Sequence, residues 1–249
     1  MFNPFTLEGK TILVTGASSG IGQSIAVIIS KMGASVMITA RNRQRLQTTL
    51  NLMEGENHKV FPADLMNEEQ IANLVSELPK LDGIVHCAGV GDRTFCKELD
   101  EATYDKVLDC NLKSPVMLQT SILKGKKLQK GASIVFIASM AAKYPSVGHA
   151  AYSASKGGII SYSKCLGLEL ASRQIRVNCI CPAMVWTDLI IQGNVTKEVL
   201  EEAQLKYPLK RYGKPEDIAY LTVYLLSDVS GWMTGSCVDI SGGGEGTLI

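Results

Sequence analysis

Three residues of the sequence, Ser139, Tyr152 and Lys156, could together carry out acid–base chemistry. Tyr152 and Lys156 are four positions apart, so a helix would place them on one face, about one turn from each other. A phenol loses its proton only near pH ~10, and an adjacent ammonium group favours the deprotonated form. Ser139 follows an apolar run, thirteen positions before Tyr152. A Tyr/Lys pair at this spacing is usually structural, so the catalytic interpretation depends on Ser139 and on a second feature earlier in the chain.

That second feature is a glycine-rich turn, Thr15-Gly16-Ala17-Ser18-Ser19-Gly20-Ile21-Gly22, between the first predicted strand and a helix. Glycines let backbone approach a pyrophosphate, whose charge the unpaired N–H groups of the helix start can meet. Such turns also carry glycine for steric reasons alone, and this spacing differs from the Gly-x-Gly-x-x-Gly fingerprint. Its place after the first strand favours a nucleotide site. The absence of a following Gly-Lys-Ser/Thr disfavours an ATP-type loop.

The ends of the next two predicted strands indicate which nucleotide would bind. An acid after the second strand would hold the ribose of NAD, but this chain has Arg41, which suits the additional phosphate of NADP. Arg41 and Arg43 could instead be solvated residues at a helix start, although positive charge is mildly unfavourable there. We therefore predict NADP, with NAD as the alternative. After the third strand, Asp64 beside Leu65 could contact adenine, cap the next helix, or do both.

Seven short apolar runs rich in β-branched residues alternate with longer segments of helical periodicity. This alternation predicts an α/β fold, a doubly wound parallel sheet of seven strands with helices on both faces, forming one domain over residues 1–249. Residues 186–212 interrupt the alternation with a helical segment near 196–206, and we predict a substrate lid there; a surface excursion is the alternative. The runs are residues 11–14, 35–40, 59–62, 83–86, 133–138, 176–180 and 237–240.

Composition excludes several classes of function. The 249 residues contain 25 Lys plus Arg against 24 Asp plus Glu, with no long run of like charge, so a nucleic-acid partner is not expected. The seven cysteines are odd in number and scattered, which favours a reducing, cytoplasmic location. Cys179 and Cys181 have no second Cys or His pair at ligand spacing, so no metal is expected. No run approaches the ~18 apolar residues of a membrane span.

Several of these features together resemble the short-chain dehydrogenase/reductase family. The resemblance covers essentially the whole chain, and its overall pattern is similar to the 3-oxoacyl-acyl-carrier-protein reductases. It implies a Rossmann fold and a nicotinamide cofactor. The features are Gly16-x-x-x-Gly20-x-Gly22, the Ser139/Tyr152-x-x-x-Lys156 set, His86-Cys87-Ala88-Gly89, Asn111 and the closing Val238-Asp239-Ile240-Ser241-Gly242-Gly243.

The resemblance implies a role for each residue. Tyr152 would be the general acid in carbonyl reduction and the base in alcohol oxidation, while Ser139 would hydrogen-bond the same oxygen. Lys156 would hold the nicotinamide ribose and tune Tyr152, and Asn111 would anchor a proton-relay water near Lys156. Thr187 would meet the nicotinamide carboxamide. The cofactor contacts implied are Gly16, Ser18, Ser19, Gly20, Ile21, Gly22, Arg41, Asp64, Leu65, Cys87, Ala88, Gly89, Tyr152, Lys156, Pro182, Val185 and Thr187.

The chain departs from the family pattern at two places. The family usually has Asn-Asn-Ala-Gly where this chain has His86-Cys87-Ala88-Gly89, and a thiol is a weaker donor than an amide. His86 could be taken for a base, but a histidine that ends a buried strand is more often a packed, hydrogen-bonded core residue. The family's Pro-Gly becomes Pro182-Ala183, which would be unfavourable if that turn requires a positive φ.

Three functions remain open from the sequence. The first is an NADPH-dependent carbonyl reductase acting on a 3-oxoacyl thioester. The second is an NAD(P)-dependent dehydrogenase of a polyol, sugar acid or hydroxysteroid. The third is a nucleotide-sensing scaffold without catalysis, which the complete set of Asn111, Ser139, Tyr152 and Lys156 argues against.

The resemblance also implies a homotetramer or homodimer, formed through long helices around residues 101–123 and 150–171. Apolar residues on these helices exceed what two core-facing stripes require, although wide stripes also occur in monomers. They are Val107, Val116, Leu118, Ile159, Ile160, Leu166 and Leu170.

Overall fold

A parallel sheet of seven strands, in the order β3-β2-β1-β4-β5-β6-β7, forms the centre of the protein. The computed structural model describes residues 2–191 and 195–244. Every neighbouring pair of strands is parallel, which confirms the predicted doubly wound fold. The strands are β1 (Thr11–Thr15), β2 (Ser35–Ala40), β3 (Lys59–Pro62), β4 (Leu81–His86), β5 (Leu128–Ile137), β6 (Arg176–Pro182) and β7 (Cys237–Ile240).

Helices connect the strands and cover both faces of the sheet. They are α1 (Gly20–Lys31), α2 (Arg43–Leu52), α3 (Glu68–Glu77), α4 (Glu101–Leu108), α5 (Ser114–Lys124), α6 (Ala150–Leu170), α7 (Asp188–Ile191), α8 (Lys197–Gln204) and α9 (Pro215–Leu226). Among residues 2–191 and 195–244, none of them combines the length and apolar character required to cross a bilayer.

Side-chain alternation along the strands separates two hydrophobic cores. Leu13 of β1 faces the core that contains Ile159 of α6, and its neighbours Ile12 and Val14 face the core that contains Ile25 of α1. Burial of both faces explains why each strand is a nearly continuous apolar run.

The two largest differences from the sequence prediction are in the helix around residues 101–123 and in β5. The helix expected around residues 101–123 is interrupted by a π-helical turn, Asp109–Lys113, between α4 and α5. Pro115 follows this turn and has no N–H to donate to the carbonyl four residues earlier, so regular α-helical bonding cannot continue through it. Strand β5 begins at Leu128 rather than at residue 133, because Leu128 pairs with Leu81 across an irregularity in the register.

The segment after β6 contains a small apolar cluster of its own. Leu200 and Ala203 of α8 pack with Tyr207 and Tyr212, and Trp186 packs against this cluster. The Trp186 Nε1–H donates to Gln204 Oε1 at 3.1 Å. Residues 192–194 of the predicted lid lie outside the described residues, and the lid function of 186–212 stays a prediction.

Candidate active site

A cleft of about 1060 Å³ opens beyond the carboxyl ends of the strands. The strand order reverses direction between β1 and β4, and ligands of open α/β sheets bind at such a switch point. Every site residue predicted from the sequence lines this cleft except Asn111. The fold therefore brings together residues from loops that are distant in the chain.

The glycine-rich turn has the geometry of a phosphate cradle. Gly16 has a φ of +66°, and a Cβ there would lie 2.8 Å from the Cα of Ala88. A Cβ on Gly22 would lie 2.3 Å from the carbonyl oxygen of Gly16. Helix α1 begins at Gly20, and the Ser19 side chain makes no capping hydrogen bond with it. Close backbone packing and an uncapped helix start suit an anionic ligand.

Thr15, which the sequence analysis did not assign, joins this turn to the loop after β4. Its Oγ1 accepts hydrogen bonds from the backbone N–H of Cys87 at 3.0 Å and of Ala88 at 3.1 Å. The signal available in the sequence was a hydroxyl residue directly before Gly16. Its partners lie about seventy residues away, so no local pattern could have revealed them.

Lys156 and Tyr152 on α6 face the cleft beside Ser139, which follows β5. The Lys156 side chain is only 6% exposed, and its Nζ donates to the carbonyl of Ile137 at 3.0 Å. Its Nζ lies 5.7 Å from the centre of the Tyr152 ring. The Ser139 Oγ accepts from the N–H of Ala141 at 3.1 Å, so its own hydrogen stays available for donation. This arrangement can transfer a proton and stabilise negative charge on an oxygen.

Asn111 lies behind the cleft, buried in the π-helical turn. Its Oδ1 accepts from the N–H of Val90 at 2.8 Å, while its Nδ2 donates to the Val90 carbonyl at 2.9 Å and to Ser155 Oγ at 3.2 Å. A Cβ on Gly89 would lie 3.1 Å from Asn111 Oδ1 and 3.5 Å from Lys156 Nζ. Asn111 is therefore next to Lys156 and ties the loop after β4 to α6.

The charged residues predicted to contact adenosine also line the cleft. Arg41 lies immediately before Asn42, whose Oδ1 caps α2 by accepting from the N–H of Arg45 at 3.0 Å. Helix α3 is capped by Asn67, so the interpretation of Asp64 as its cap is wrong. Asp64 instead accepts from the N–H of Met66 at 3.0 Å in a tight turn.

Comparison with known proteins identifies the family. The short-chain alcohol dehydrogenase family model described as enoyl-(acyl carrier protein) reductase matches residues 16–245. The chain belongs to the short-chain dehydrogenase/reductase family. It is 35% identical over 237 residues to the 3-oxoacyl-(acyl-carrier-protein) reductase of Rickettsia felis, covering 95% of this chain and 97% of that one.

Two solved structures have the same fold as this short-chain dehydrogenase/reductase. A putative short-chain alcohol dehydrogenase from Sinorhizobium meliloti has a TM-score of 0.90 and 31% identity, covering 99% of this chain and 100% of that one. A variant of the actinorhodin polyketide ketoreductase, crystallised with NADPH, has a TM-score of 0.88 and 30% identity, with 100% of both chains covered.

The structure shows how this short-chain dehydrogenase/reductase accommodates its departures from the family pattern. His86 is a packed core residue: its Nε2 is 3.0 Å from Gln119 Oε1, and its ring stacks on Phe136 with centroids 4.5 Å apart. Burial raises the pKa of the Cys87 thiol to about 12, so the thiol stays neutral, and the backbone N–H of Cys87 is bonded to Thr15. Ala183 does not adopt a positive φ, so the missing glycine causes no backbone strain.

His86 makes the stability of this short-chain dehydrogenase/reductase sensitive to acid. Burial lowers its pKa from 6.5 to about 4 in the folded protein, so below pH 6.5 the unfolded chain binds a proton that the folded chain does not. The stability contributed by neutral His86 is therefore complete above pH 6.5 and is lost as the pH falls toward 4. The expected loss is about 3 kcal/mol. In His86→Asn this component is absent, and urea unfolding of both proteins across this range measures it.

The comparison between pH values, rather than stability at one pH, tests this prediction. His86→Asn removes a buried ring and is expected to be less stable than the wild type near neutral pH. Parallel losses of unfolding free energy in the two proteins on acidification would contradict the assignment to His86.

Proposed function

We propose that the protein is an NADPH-dependent carbonyl reductase that acts on 3-oxoacyl thioesters. The observation that carries the proposal is the buried ammonium of Lys156, 5.7 Å from the Tyr152 ring, in the cleft that also contains Ser139 and the glycine-rich turn. The relative from Rickettsia felis is named a 3-oxoacyl-(acyl-carrier-protein) reductase, and the structurally similar ketoreductase was crystallised with NADPH. Both names support the reduction of a ketone.

The residues of the cleft fit a phosphorylated dinucleotide. Gly16 and the uncapped start of α1 suit the pyrophosphate, and Arg41, with no acid at the end of β2, suits an additional phosphate on the ribose. Gly89, Pro182, Val185 and Thr187 would border the nicotinamide end. When bound, NADPH supplies the hydride that reduces the carbonyl carbon.

The protein's own groups handle the carbonyl oxygen. Tyr152 donates its phenolic proton to this oxygen, and the Ser139 hydroxyl donates a hydrogen bond to it. The Lys156 ammonium stabilises the phenolate that remains on Tyr152. Asn111 holds the loop at Val90 and, through Ser155, the turn of α6 that carries Tyr152. In alcohol oxidation the same groups act in the opposite direction.

An apolar part of the cleft wall supports a substrate with an acyl chain. A polyol or sugar acid would leave this surface poorly matched, because each of its hydroxyls requires a hydrogen-bonding partner. We place the substrate here, against the described parts of the proposed lid, residues 186–191 and 195–212. The apolar residues are Met140, Met184, Leu189, Ile190, Val195 and Leu200.

A kinetic comparison tests the proposed function. Purified protein is mixed with NADPH and a short 3-oxoacyl thioester, and loss of NADPH absorbance is followed; the reverse reaction is tried with polyols, sugar acids and hydroxysteroids. The highest kcat/KM is expected for the thioester. Faster turnover of a polyol or hydroxysteroid with NAD(P)⁺ would replace the proposed substrate class, and tight NADPH binding without any turnover would indicate a nucleotide-sensing scaffold.

Cofactor preference is tested by Arg41→Asp. This change removes a cation from the proposed phosphate site and adds an acid that can bind ribose hydroxyls. NADPH affinity is expected to fall about 10- to 100-fold, with a much smaller change for NADH. Fluorescence titration measures the dissociation constants of NADPH and of NADH. Equal losses for NADPH and NADH would contradict the role of Arg41.

We also propose that the protein forms a homotetramer or homodimer in the cytoplasm. Most of the apolar residues predicted for the interface, including Val107, Leu118 and Ile159, are buried within the protein itself and give no support. Two large apolar side chains on these helices do support an interface because they are exposed: Tyr104 of α4 is 44% exposed and Leu168 of α6 is 80% exposed. Light scattering measures the assembly.

All seven cysteines are free, which supports a reducing compartment.

A further inference from the structure

An ion pair connects the two walls of the cleft above the glycine-rich turn. The Arg45 Nη2 on α2 lies 2.6 Å from Asp188 Oδ2 at the start of α7, although the two residues are 143 positions apart. Both side chains are about half exposed, at 51% and 50%, and both line the cleft. The sequence analysis assigned no role to either residue.

Contacts on the α2 side place Arg45 next to the phosphate cradle. Thr49 lies one turn beyond Arg45 on the same face of α2. Its Oγ1 donates to the carbonyl of Ala17 at 2.8 Å, within the glycine-rich turn, and accepts from Gln23 Nε2 of α1 at 2.9 Å. The helix face that carries Arg45 is therefore docked on this turn.

Contacts on the other side place Asp188 at the same point. A Cβ on Gly20 would lie 3.2 Å from the Thr187 side chain, so the residue before Asp188 contacts the first residue of α1. An aspartate here is next to the positive end of the α1 dipole. Once a dinucleotide phosphate occupies that position, the Asp188 carboxylate faces a like charge while Arg45 faces an opposite one.

We propose that Arg45 is a phosphate ligand of the bound dinucleotide, and that Asp188 holds its guanidinium until the phosphate displaces the carboxylate. This inference rests on the proposed function, because it requires a phosphorylated cofactor in the cleft. The exchange also frees Asp188, the first residue of α7, from its contact with α2. Cofactor binding is thereby coupled to α7.

The relative strengths of the two pairs favour the exchange. An ion pair between half-exposed side chains changes an equilibrium constant by only about 1.5- to 5-fold. Arg45 makes a single hydrogen bond to Asp188, whereas arginine can bind a phosphate through two parallel charge-assisted hydrogen bonds.

A double-mutant cycle tests the proposal by cofactor binding alone. Dissociation constants for NADPH and NADH are measured by fluorescence titration for the wild type, Asp188→Asn, Arg45→Gln and the double variant. Asp188→Asn removes the competitor and is expected to tighten NADPH binding about 2- to 5-fold. Arg45→Gln is expected to weaken it about 10-fold. In the Arg45→Gln background, Asp188→Asn is expected to give a smaller gain, because only the repulsion between the carboxylate and the phosphate is then relieved.

The matched control is Asp228→Asn. Asp228 forms a similar surface ion pair with Lys10 at 2.7 Å, and neither residue lines the cleft. Its removal is expected to leave both dissociation constants unchanged. The comparison of dinucleotides identifies the phosphate: an effect on NADPH alone assigns Arg45 to the ribose phosphate, and equal effects on NADPH and NADH assign it to the pyrophosphate.

Three results would overturn the proposal: unchanged NADPH affinity in Asp188→Asn, weaker affinity in that variant, or an equal gain from Asp188→Asn whether or not Arg45 is present. Weaker affinity would mean that the ion pair persists over the bound cofactor. Failure of the wild type to bind either dinucleotide would instead refute the proposed function as well. Circular dichroism of each variant checks that an altered constant does not reflect unfolding.

Discussion

Tyr152→Phe is expected to lower kcat for carbonyl reduction by about 10²- to 10⁴-fold, the range typical of losing a positioned general acid. The change removes one oxygen and leaves the ring, which lies 5.7 Å from Lys156 Nζ, in place. In the proposed function NADPH is held by the glycine-rich turn, Arg41 and Lys156, so its dissociation constant is expected to stay close to that of the wild type. Steady-state kinetics with the thioester and fluorescence titration with NADPH measure the two quantities separately.

Tyr220→Phe is the control for the loss of a phenol. Tyr220 lies on α9, is 63% exposed and does not line the cleft, so wild-type kcat is expected. Near-normal turnover in Tyr152→Phe would remove Tyr152 as the acid. A loss of NADPH binding equal to the loss of activity would mean that Tyr152 serves mainly to hold the cofactor.

Gly22→Ala is expected to reduce kcat/KM and NADPH affinity by about 10²-fold, because a small displacement of a binding group is that costly. The new Cβ would lie 2.3 Å from the carbonyl oxygen of Gly16 and 2.8 Å from its carbonyl carbon. These are backbone atoms of the cradle itself, so the turn must shift to relieve the overlap. Titration with NADPH measures the affinity, and kinetics with NADPH varied at saturating thioester measure kcat/KM.

Gly157→Ala is the matched control for a methyl group added to a helical glycine. A Cβ on Gly157 would have no atom within 4 Å, although this residue directly follows Lys156 on α6. Activity is expected to remain, and the free energy of unfolding is expected to rise by about 0.5–1 kcal/mol from improved helix propensity. Wild-type NADPH affinity in Gly22→Ala would contradict the phosphate-cradle interpretation.

The accuracy of the sequence prediction depended on whether the information was local. The seven strands were predictable because burial on both faces produces short, continuous apolar runs, and all were found within a few residues of their expected positions. Tyr152 and Lys156 were predictable as a pair because four-residue spacing on a helix sets their relationship without reference to the rest of the chain. The glycine-rich turn was recognisable because its glycines lie close together in the sequence, directly after a strand.

The sequence by itself determined the sheet, the alternation of helices and strands, and the residue types available for acid–base chemistry. Only the tertiary structure decided that Asn111 lies behind the cleft rather than in it, that Thr15 fixes the loop at Cys87, and that Arg45 faces Asp188. The physical reason is that periodicity and spacing record how a segment packs against the core. A hydrogen bond or ion pair between distant segments depends on where the loops converge, which the folded sheet alone determines.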